Sequence, residues 1–403
     1  MDKHTAYKRN ILKHLYFSGI LSCNELSVLT EKSIPLTARI LGELISEGAV
    51  VESGYAQSTG GRRPQMYALL PDRMYVVAVA GDQLVTRIAL LDMQNNQVGE
   101  ELKVDLPLAN NINALQQLAG FIDQHIHMSG VPKDKILGVG IGLPGFVDVI
   151  KGINHTYLKT ERGSIVTNLE AAIGLPVLID NDSSLIALAE LKLGAARNRQ
   201  NAMVINISWG VGLGMIINQQ LFRGNNGFAG EFSHIPIFSN NKMCGCGKMG
   251  CLETESSLLV IAQKAYEGLQ QGKISLLKQI ELGRVEETIN ALMHAAAQGD
   301  NFTIELFSKA AYNIGRGVAI LIHLMNPELV ILSGRGAQAG KLWLAPIQQA
   351  INEHCIPKIA ENTEVKISSM AHQAELLGAA ALVMENLDKL DFSESHLAIQ
   401  DVA

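Results

Sequence analysis

Four residues in the second half of the chain have the types and spacing for metal chemistry. His234, Cys244, Cys246 and Cys251 read H-x9-C-x-C-x4-C. A thiolate and imidazole set of four matches tetrahedral zinc, and a closed Cys3His site is structural rather than catalytic. Gly245, Gly247 and Gly250 relieve the backbone where such ligands converge. The other reading is three reduced cysteines on a surface loop. Free cysteine prefers burial as a small apolar group, and this polar, glycine-rich stretch offers little core. The chain has five cysteines; an odd total without a secretion signal argues against a disulfide framework.

A second group carries phosphate-binding chemistry. In Ser58-Thr59-Gly60-Gly61-Arg62-Arg63-Pro64 the glycines allow close backbone approach. The paired arginines suit phosphate contacts or a narrow minor groove. A solvated turn is the alternative. The elements around this loop favour DNA. Apolar residues at helical spacing mark a helix over residues 3–17, and Ser22 with Glu25 forms a capping box for a second, to about Lys32. Ser33 caps a third helix, with Pro35 in its first turn and an apolar stripe of Leu41, Leu44 and Ile45 before Gly48. Two strands, Val50–Glu52 and Gln65–Leu69, flank the loop. This outline is a winged helix-turn-helix. Its third helix is expected to turn Thr37, Arg39, Glu43 and Ser46 outward, with Thr37 and Arg39 reading base edges and Gly61, Arg62 and Arg63 meeting the backbone.

Charge agrees with this division. Residues 1–70 carry eight Lys/Arg against six Asp/Glu, a net +2, so the rest of the chain carries −8 of the total −6. A mildly basic head on an acidic body is compatible with nucleic acid at the head. The 403 residues exceed one typical domain, and 47% are apolar, enough for sizeable cores. No apolar run approaches the ~18 residues of a membrane span, and residues 1–10 lack a signal-peptide core, so a soluble, cytosolic protein without membrane contact is expected.

After Pro71-Asp72 the order β-β-β-α-β-α-β-α runs to about residue 190 and partly recurs from Ala202. The expected domains are a winged helix-turn-helix over 1–72, a first α/β lobe over 73–190 joined by a helix at about 374–390, and a second lobe over 191–373 with the metal site and oligomerisation helices.

Gly230-Glu231-Phe232-Ser233-His234 followed by Cys244-Gly245-Cys246-Gly247-Lys248-Met249-Gly250-Cys251-Leu252-Glu253 resembles the signature of the ROK family (repressors, open reading frames and sugar kinases). Ile141-Gly142-Leu143-Pro144-Gly145 and Asp180-Asn181-Asp182 stand at the family's distances before it. The head with Gly60-Gly61-Arg62-Arg63 is similar to that of the repressor branch, such as its xylose, glucose and N-acetylglucosamine regulators. The resemblance implies an α/β, actin-like and hexokinase-like (ribonuclease H-like) ATPase fold of two lobes with a sugar between them. It implies that Asn181 and Asp182 bind the sugar, with Asp182 at the position of the kinases' general base. Glu231, His234 and Glu253 would bind sugar hydroxyls, and Gly145 would let the backbone approach the sugar. Carboxylates suit this, accepting two hydroxyls at once. With one ring nitrogen on zinc, His234 could offer the other to the sugar. An N-cap before Ser183 is the structural alternative for Asn181-Asp182.

Phosphoryl transfer needs a phosphate cradle and a magnesium-binding carboxylate. The family's kinases carry an Asp-x-Gly-x-Thr type turn, but here Ala80 falls at the aspartate, with Gln83 and Leu84 at the glycine and threonine; Asp82 is misplaced by spacing. In the second loop, Ser208-Trp209-Gly210-Val211-Gly212-Leu213-Gly214, an indole stands where a small residue or hydroxyl faces the γ-phosphate. Ser333-Gly334-Arg335-Gly336 resembles the adenosine-side turn. The expectation is a non-enzymatic regulator with structural Zn2+, a monosaccharide effector and operator DNA, acting as a homodimer or homotetramer; a ROK sugar kinase is the alternative.

Overall fold

The structure, a computed structural model, describes residues 2–57, 63–160 and 163–390. The chain divides into two compact units: one runs to Asn181 and resumes at Leu376, and the other is Asp182–Glu375.

The first unit begins with α1 (Lys3–Ser18), whose N-terminal amides of His4 and Thr5 donate to the Asp2 carboxylate. Then come β1 (Ile20–Ser22), α2 (Cys23–Leu29) and α3 (Ile34–Ser46). The Ser22–Glu25 capping box is present. Ser33 occupies the cap position of α3, but its hydroxyl makes no capping bond. Strands β2 (Val50–Tyr55) and β3 (Gln65–Leu69) complete an antiparallel sheet in the order β1-β3-β2, with Ile20 and Val51 both paired to Ala68. Ile11, Leu12, Leu15, Leu26, Ile40, Leu41 and Leu44 form the centre of this head.

Two expectations for α3 are corrected. Thr37 does not face outward: it is fully buried, and its hydroxyl lies 2.6 Å from the Tyr7 hydroxyl and donates to Ser33 O at 3.0 Å. Position decides this. Thr37, Ile40, Leu41 and Leu44 stand at i, i+3, i+4 and i+7, one helical face, so the threonine belongs to the buried stripe despite its polarity. Glu43 turns towards α1, 3.1 Å from Lys8 Nζ and 2.8 Å from His4 Nε2. Removing the Thr37 hydroxyl (Thr37→Val) should cost about 1–2 kcal/mol of head stability, read from the urea midpoint, with no group lost from the exposed face. An unchanged midpoint would contradict this placement.

The first α/β lobe follows with β4 (Tyr75–Gly81), β5 (Val85–Asp92), β6 (Gln97–Asp105), α4 (Ala114–Ser129), β7 (Ile136–Leu143), the small pair β8 (Val147–Asp148) and β9 (Ile153–Asn154), α5 (Ile165–Ile173) and β10 (Val177–Asn181). Its sheet order is β10-β7-β4-β5-β6, with β10, β7 and β4 parallel and the β4-β5-β6 meander antiparallel. Strands β4 and β7 are buried along their whole length, as strands covered on both faces must be.

The second unit opens with α6 (Asp182–Lys192), which packs on this unit's own sheet rather than within the first lobe. Strands β11 (Ala202–Ile207), β12 (Val211–Ile217) and β13 (Gln220–Leu221) precede α7 (Glu253–Ser256), α8 (Leu258–Gln270), α9 (Val285–Ala297) and α10 (Asn301–Met325). Strand β14 (Leu329–Ser333), α11 (Leu344–His354), α12 (Pro357–Ala360) and β15 (Glu364–Ile367) follow. The sheet order β13-β12-β11-β14-β15 repeats the first lobe's plan, a meander plus two parallel strands. The core under it gathers Ile205, Ile207, Phe307, Ile314 and Trp343.

The last helix, α13 (Ala374–Glu385), returns the chain to the first unit and lies against β7, where a Cβ on Gly140 would stand 2.0 Å from Ala379 O. Carbonyls at its far end and in the turn beyond it are met by the head. Arg9 Nη1 donates to Leu387 O (3.1 Å) and Leu390 O (2.9 Å), and Lys13 Nζ donates to Glu385 O (2.8 Å). Cations at a helix C-terminus meet both its orphan acceptors and its dipole. Among the described residues no helix is long and apolar enough to cross a membrane.

Candidate functional site

In the second unit a sharp turn brings the chemistry together. Gly230 has φ +102°, and a Cβ there would meet Leu213 O at 2.4 Å. The turn sets Glu231 and His234 side by side, Glu231 Oε2 to His234 Nε2 3.7 Å apart. The other ring nitrogen, Nδ1, lies 3.5 Å from Cys244 Sγ. Cys246 and Cys251 Sγ are 3.7 Å apart, and Cys251 Sγ is 3.4 Å from His234 O. One donor atom from each of His234, Cys244, Cys246 and Cys251 lies within 4.8 Å of all the others, so these four could hold a metal ion. Gly250 makes the convergence possible: φ is +77°, and a Cβ would stand 2.0 Å from Phe238 O. Burial, and then the neighbouring Cys246 and Cys244 thiols, push Cys251 up to about 12. Burial pushes Cys244 up as well, so these two thiols resist ionising without a cation to receive them.

Glu253 opens α7 two residues after Cys251. Its Oε2 accepts from Val211 N at 3.3 Å, and a Cβ on Gly210 would meet the same oxygen at 2.6 Å. Its carboxylate therefore rests on the turn between β11 and β12. Asp182 lies beside the two strands that flank that turn. Its Oδ1 accepts from Ser183 N (2.7 Å) and Ser183 Oγ (3.2 Å), and a Cβ on Gly212 would fall 2.0 Å from that hydroxyl. Its Oδ2 accepts from Asn206 Nδ2 at 3.3 Å. The sequence reading did not single out Asn206. The signal was present: it is the one polar residue in the otherwise apolar strand Ala202–Ile207.

In the first unit, Asn181 Nδ2 donates to Gly145 O at 3.1 Å. Gly145 has φ +82°, and Thr156 Oγ1 would be 2.6 Å from a Cβ there. Asn181 and Gly145 are thus paired, while Glu231, His234 and Glu253 cluster around the thiols.

The stretches compared above with phosphate loops are occupied by protein. Trp209 is 2% exposed, and the Arg335 guanidinium lies 4.6 Å over its ring, with Nη1 donating to Glu286 at 2.7 Å. Asp82 Oδ1 accepts from Leu84 N and Val85 N, both at 2.7 Å, closing the β4–β5 turn. On the head, Arg39 has 63% of its side chain exposed and stands with exposed Ala38, Gly42 and Ser46; Arg63 is exposed. Gly61 and Arg62 lie outside the described residues.

The model of the ROK family matches residues 79–386. The chain belongs to the ROK family. It is 29% identical to the xylose repressor of Caldicellulosiruptor bescii over 98% of this chain and all of that protein. A crystal structure of a ROK family transcriptional regulator, a homologue of the Escherichia coli MLC protein, superposes with TM-score 0.76 and 26% identity, covering 96% of this chain and 97% of that one. A ROK family glucokinase from Streptomyces griseus, solved with glucose and AMPPNP, gives TM-score 0.66 and 25% identity over 76% of this chain and 98% of its own. The two five-stranded α/β lobes are the actin-like, hexokinase-like ROK fold.

Proposed function

We propose that this ROK protein is a sugar-responsive transcriptional repressor whose N-terminal head binds operator DNA. The observation that carries the reading is coverage. A repressor and a regulator structure match this chain nearly from end to end, whereas the glucokinase structure is matched over 98% of its own length by only 76% of this chain. The head of three helices and a three-stranded sheet is read as a winged helix-turn-helix, with Arg39 at base edges and Gly61, Arg62 and Arg63 at the backbone. Arg39→Ala should weaken operator binding selectively. Arg62→Ala should weaken it on all sequences and lower the salt slope by about 1. Unchanged isotherms for both would remove the assignment. A homodimer or homotetramer would match a palindromic operator.

His234, Cys244, Cys246 and Cys251 would hold a structural zinc. At a Zn–S distance of about 2.3 Å, sulfurs at two corners of a tetrahedron stand about 3.8 Å apart, and Cys246 and Cys251 are separated by 3.7 Å. With Nδ1 on the metal side, His234 Nε2 is left beside Glu231. Asn181, Asp182, Glu231, His234, Glu253 and the Gly145 turn would bind a monosaccharide effector. For the sugar to release DNA it must bind the off-operator state more tightly.

Loss of kinase activity is part of the reading. A buried indole capped by Arg335 fills the place where the kinases have a small residue or hydroxyl beside the γ-phosphate, and Asp82 is committed to its own turn. The glycines of the β11–β12 turn and the likeness to a nucleotide-bound glucokinase favour the second reading, a ROK sugar kinase, which sugar-dependent ATP turnover would establish. The decisive experiment is calorimetric titration of the zinc-loaded protein, without ATP, with monosaccharides and their phosphates. One sugar binding in the micromolar range, lost in Asp182→Ala, is expected. No heat with any sugar would overturn the effector site.

A further inference from the structure

We propose that Asn206 is a positioning residue that holds Asp182 in the orientation needed to accept sugar hydroxyls. This rests on the reading of Asp182 as a sugar ligand. Asn206 is 4% exposed on β11, and its side-chain nitrogen divides between two acceptors, Asp182 Oδ2 at 3.3 Å and Ser183 Oγ at 3.1 Å. Ser183 passes the interaction on, its hydroxyl and its backbone N–H both donating to Asp182 Oδ1. Each carboxylate oxygen of Asp182 is therefore met by a donor from a buried partner, Oδ1 by Ser183 and Oδ2 by Asn206. The side chain is steered from two sides.

The surroundings are built around this arrangement. A Cβ on Gly212 would stand 2.0 Å from Ser183 Oγ, and one on Gly334 would stand 2.2 Å from Asn206 Oδ1. Glycine at both positions leaves room for the pair. Asn206 Oδ1 is buried and meets no donor among the described residues. A buried acceptor left without a partner is unfavourable, so the amide is retained for its donor half. Turning it over would aim the carbonyl oxygen at a carboxylate and at a hydroxyl already donating elsewhere. The negative charge on Asp182 sets the orientation of the amide, and the amide in turn fixes Asp182. A residue serving packing alone would need neither the polarity nor that orientation.

The test uses the full-length, zinc-loaded protein titrated calorimetrically with D-glucose, D-xylose and N-acetyl-D-glucosamine between pH 6 and pH 8.5. Asn206→Ala should weaken the binding sugar about 10- to 100-fold. Asn206→Asp keeps size and shape, guarding against a folding failure, but sets a second carboxylate beside Asp182. Like charges that close share a proton, which raises the pKa of the pair. The variant should bind at pH 6, where the shared proton still gives Asp182 an O–H donor, and weaken at least tenfold by pH 8.5 as the pair ionises and repels, while the natural protein changes little over that range. A purely structural role would give a loss independent of pH. Wild-type affinity in Asn206→Ala, or a pH-independent loss in Asn206→Asp, with Asp182→Ala still abolishing binding, would overturn the proposal alone. Wild-type affinity in Asp182→Ala would overturn the sugar-site reading and this proposal with it.

Discussion

Replacing Cys251 by serine, or stripping the protein with a chelator, is expected to remove the metal and weaken sugar binding about 100-fold while the head still binds DNA. Cys251 is fully buried at the centre of the set, so serine neither reaches solvent nor supplies a thiolate. With zinc in the proposed site its loss would open the set of four ligands, and the binding free energy of such a site is also folding free energy for the loop that forms it. The sugar effect follows through His234. Its Nδ1 faces the thiols and its Nε2 faces Glu231, so the metal bond would fix which edge of the ring meets the sugar. Groups that orient a ligand in this way are typically worth about 10- to 100-fold. The upper end is expected here because Glu231 and Glu253 stand on the same loop system. Metal content by atomic absorption, with calorimetry on the same samples, tests the coupling. Metal-free protein that binds sugar at full affinity would separate the two sites.

The largest effect on stability is expected from Gly140→Ala. The new methyl would stand 2.0 Å from Ala379 O and 2.7 Å from Ala379 C, and both belong to the backbone of α13. A flexible side chain could swing aside; a helix backbone cannot. Either β7 or α13 must shift, and overpacking of this kind costs about 1–3 kcal/mol or more. The displacement also moves the helix end that Arg9 and Lys13 hold, so the head should become more sensitive to protease and bind DNA less tightly. Gly120→Ala on α4 is the control: nothing lies within 4 Å of its new methyl, and alanine in a helix should add about 0.5–1 kcal/mol. Equal denaturation midpoints for the two variants would show that the β7–α13 contact carries no load.

What could be read before the fold was known followed from short-range rules. The Cys3His spacing, the Ser22–Glu25 cap and the repeated strand-meander order each depend on residues near one another, and each has its counterpart in the structure. Thr37 misled because its residue type was weighed above its place in the i, i+3, i+4, i+7 series. β1 escaped because three residues between a helix stop and a capping box show no period. Asn206 escaped because its partners, Asp182 and Ser183, come from another element. The seat of the head on α13 joins residues nearly a whole chain length apart, and nothing local signals it.

That separation has a consequence for synthesis. Arg9 leaves the ribosome 378 residues before Leu387 and 381 before Leu390. At roughly 5–20 residues per second, about 20–75 s pass between making the guanidinium and making its acceptors. The head's own helices and sheet involve only the first 70 or so residues and can form in that interval, but their docking cannot. A nascent or prematurely terminated chain therefore carries a folded head without its seat. The anchored state belongs only to a chain translated at least as far as Leu390.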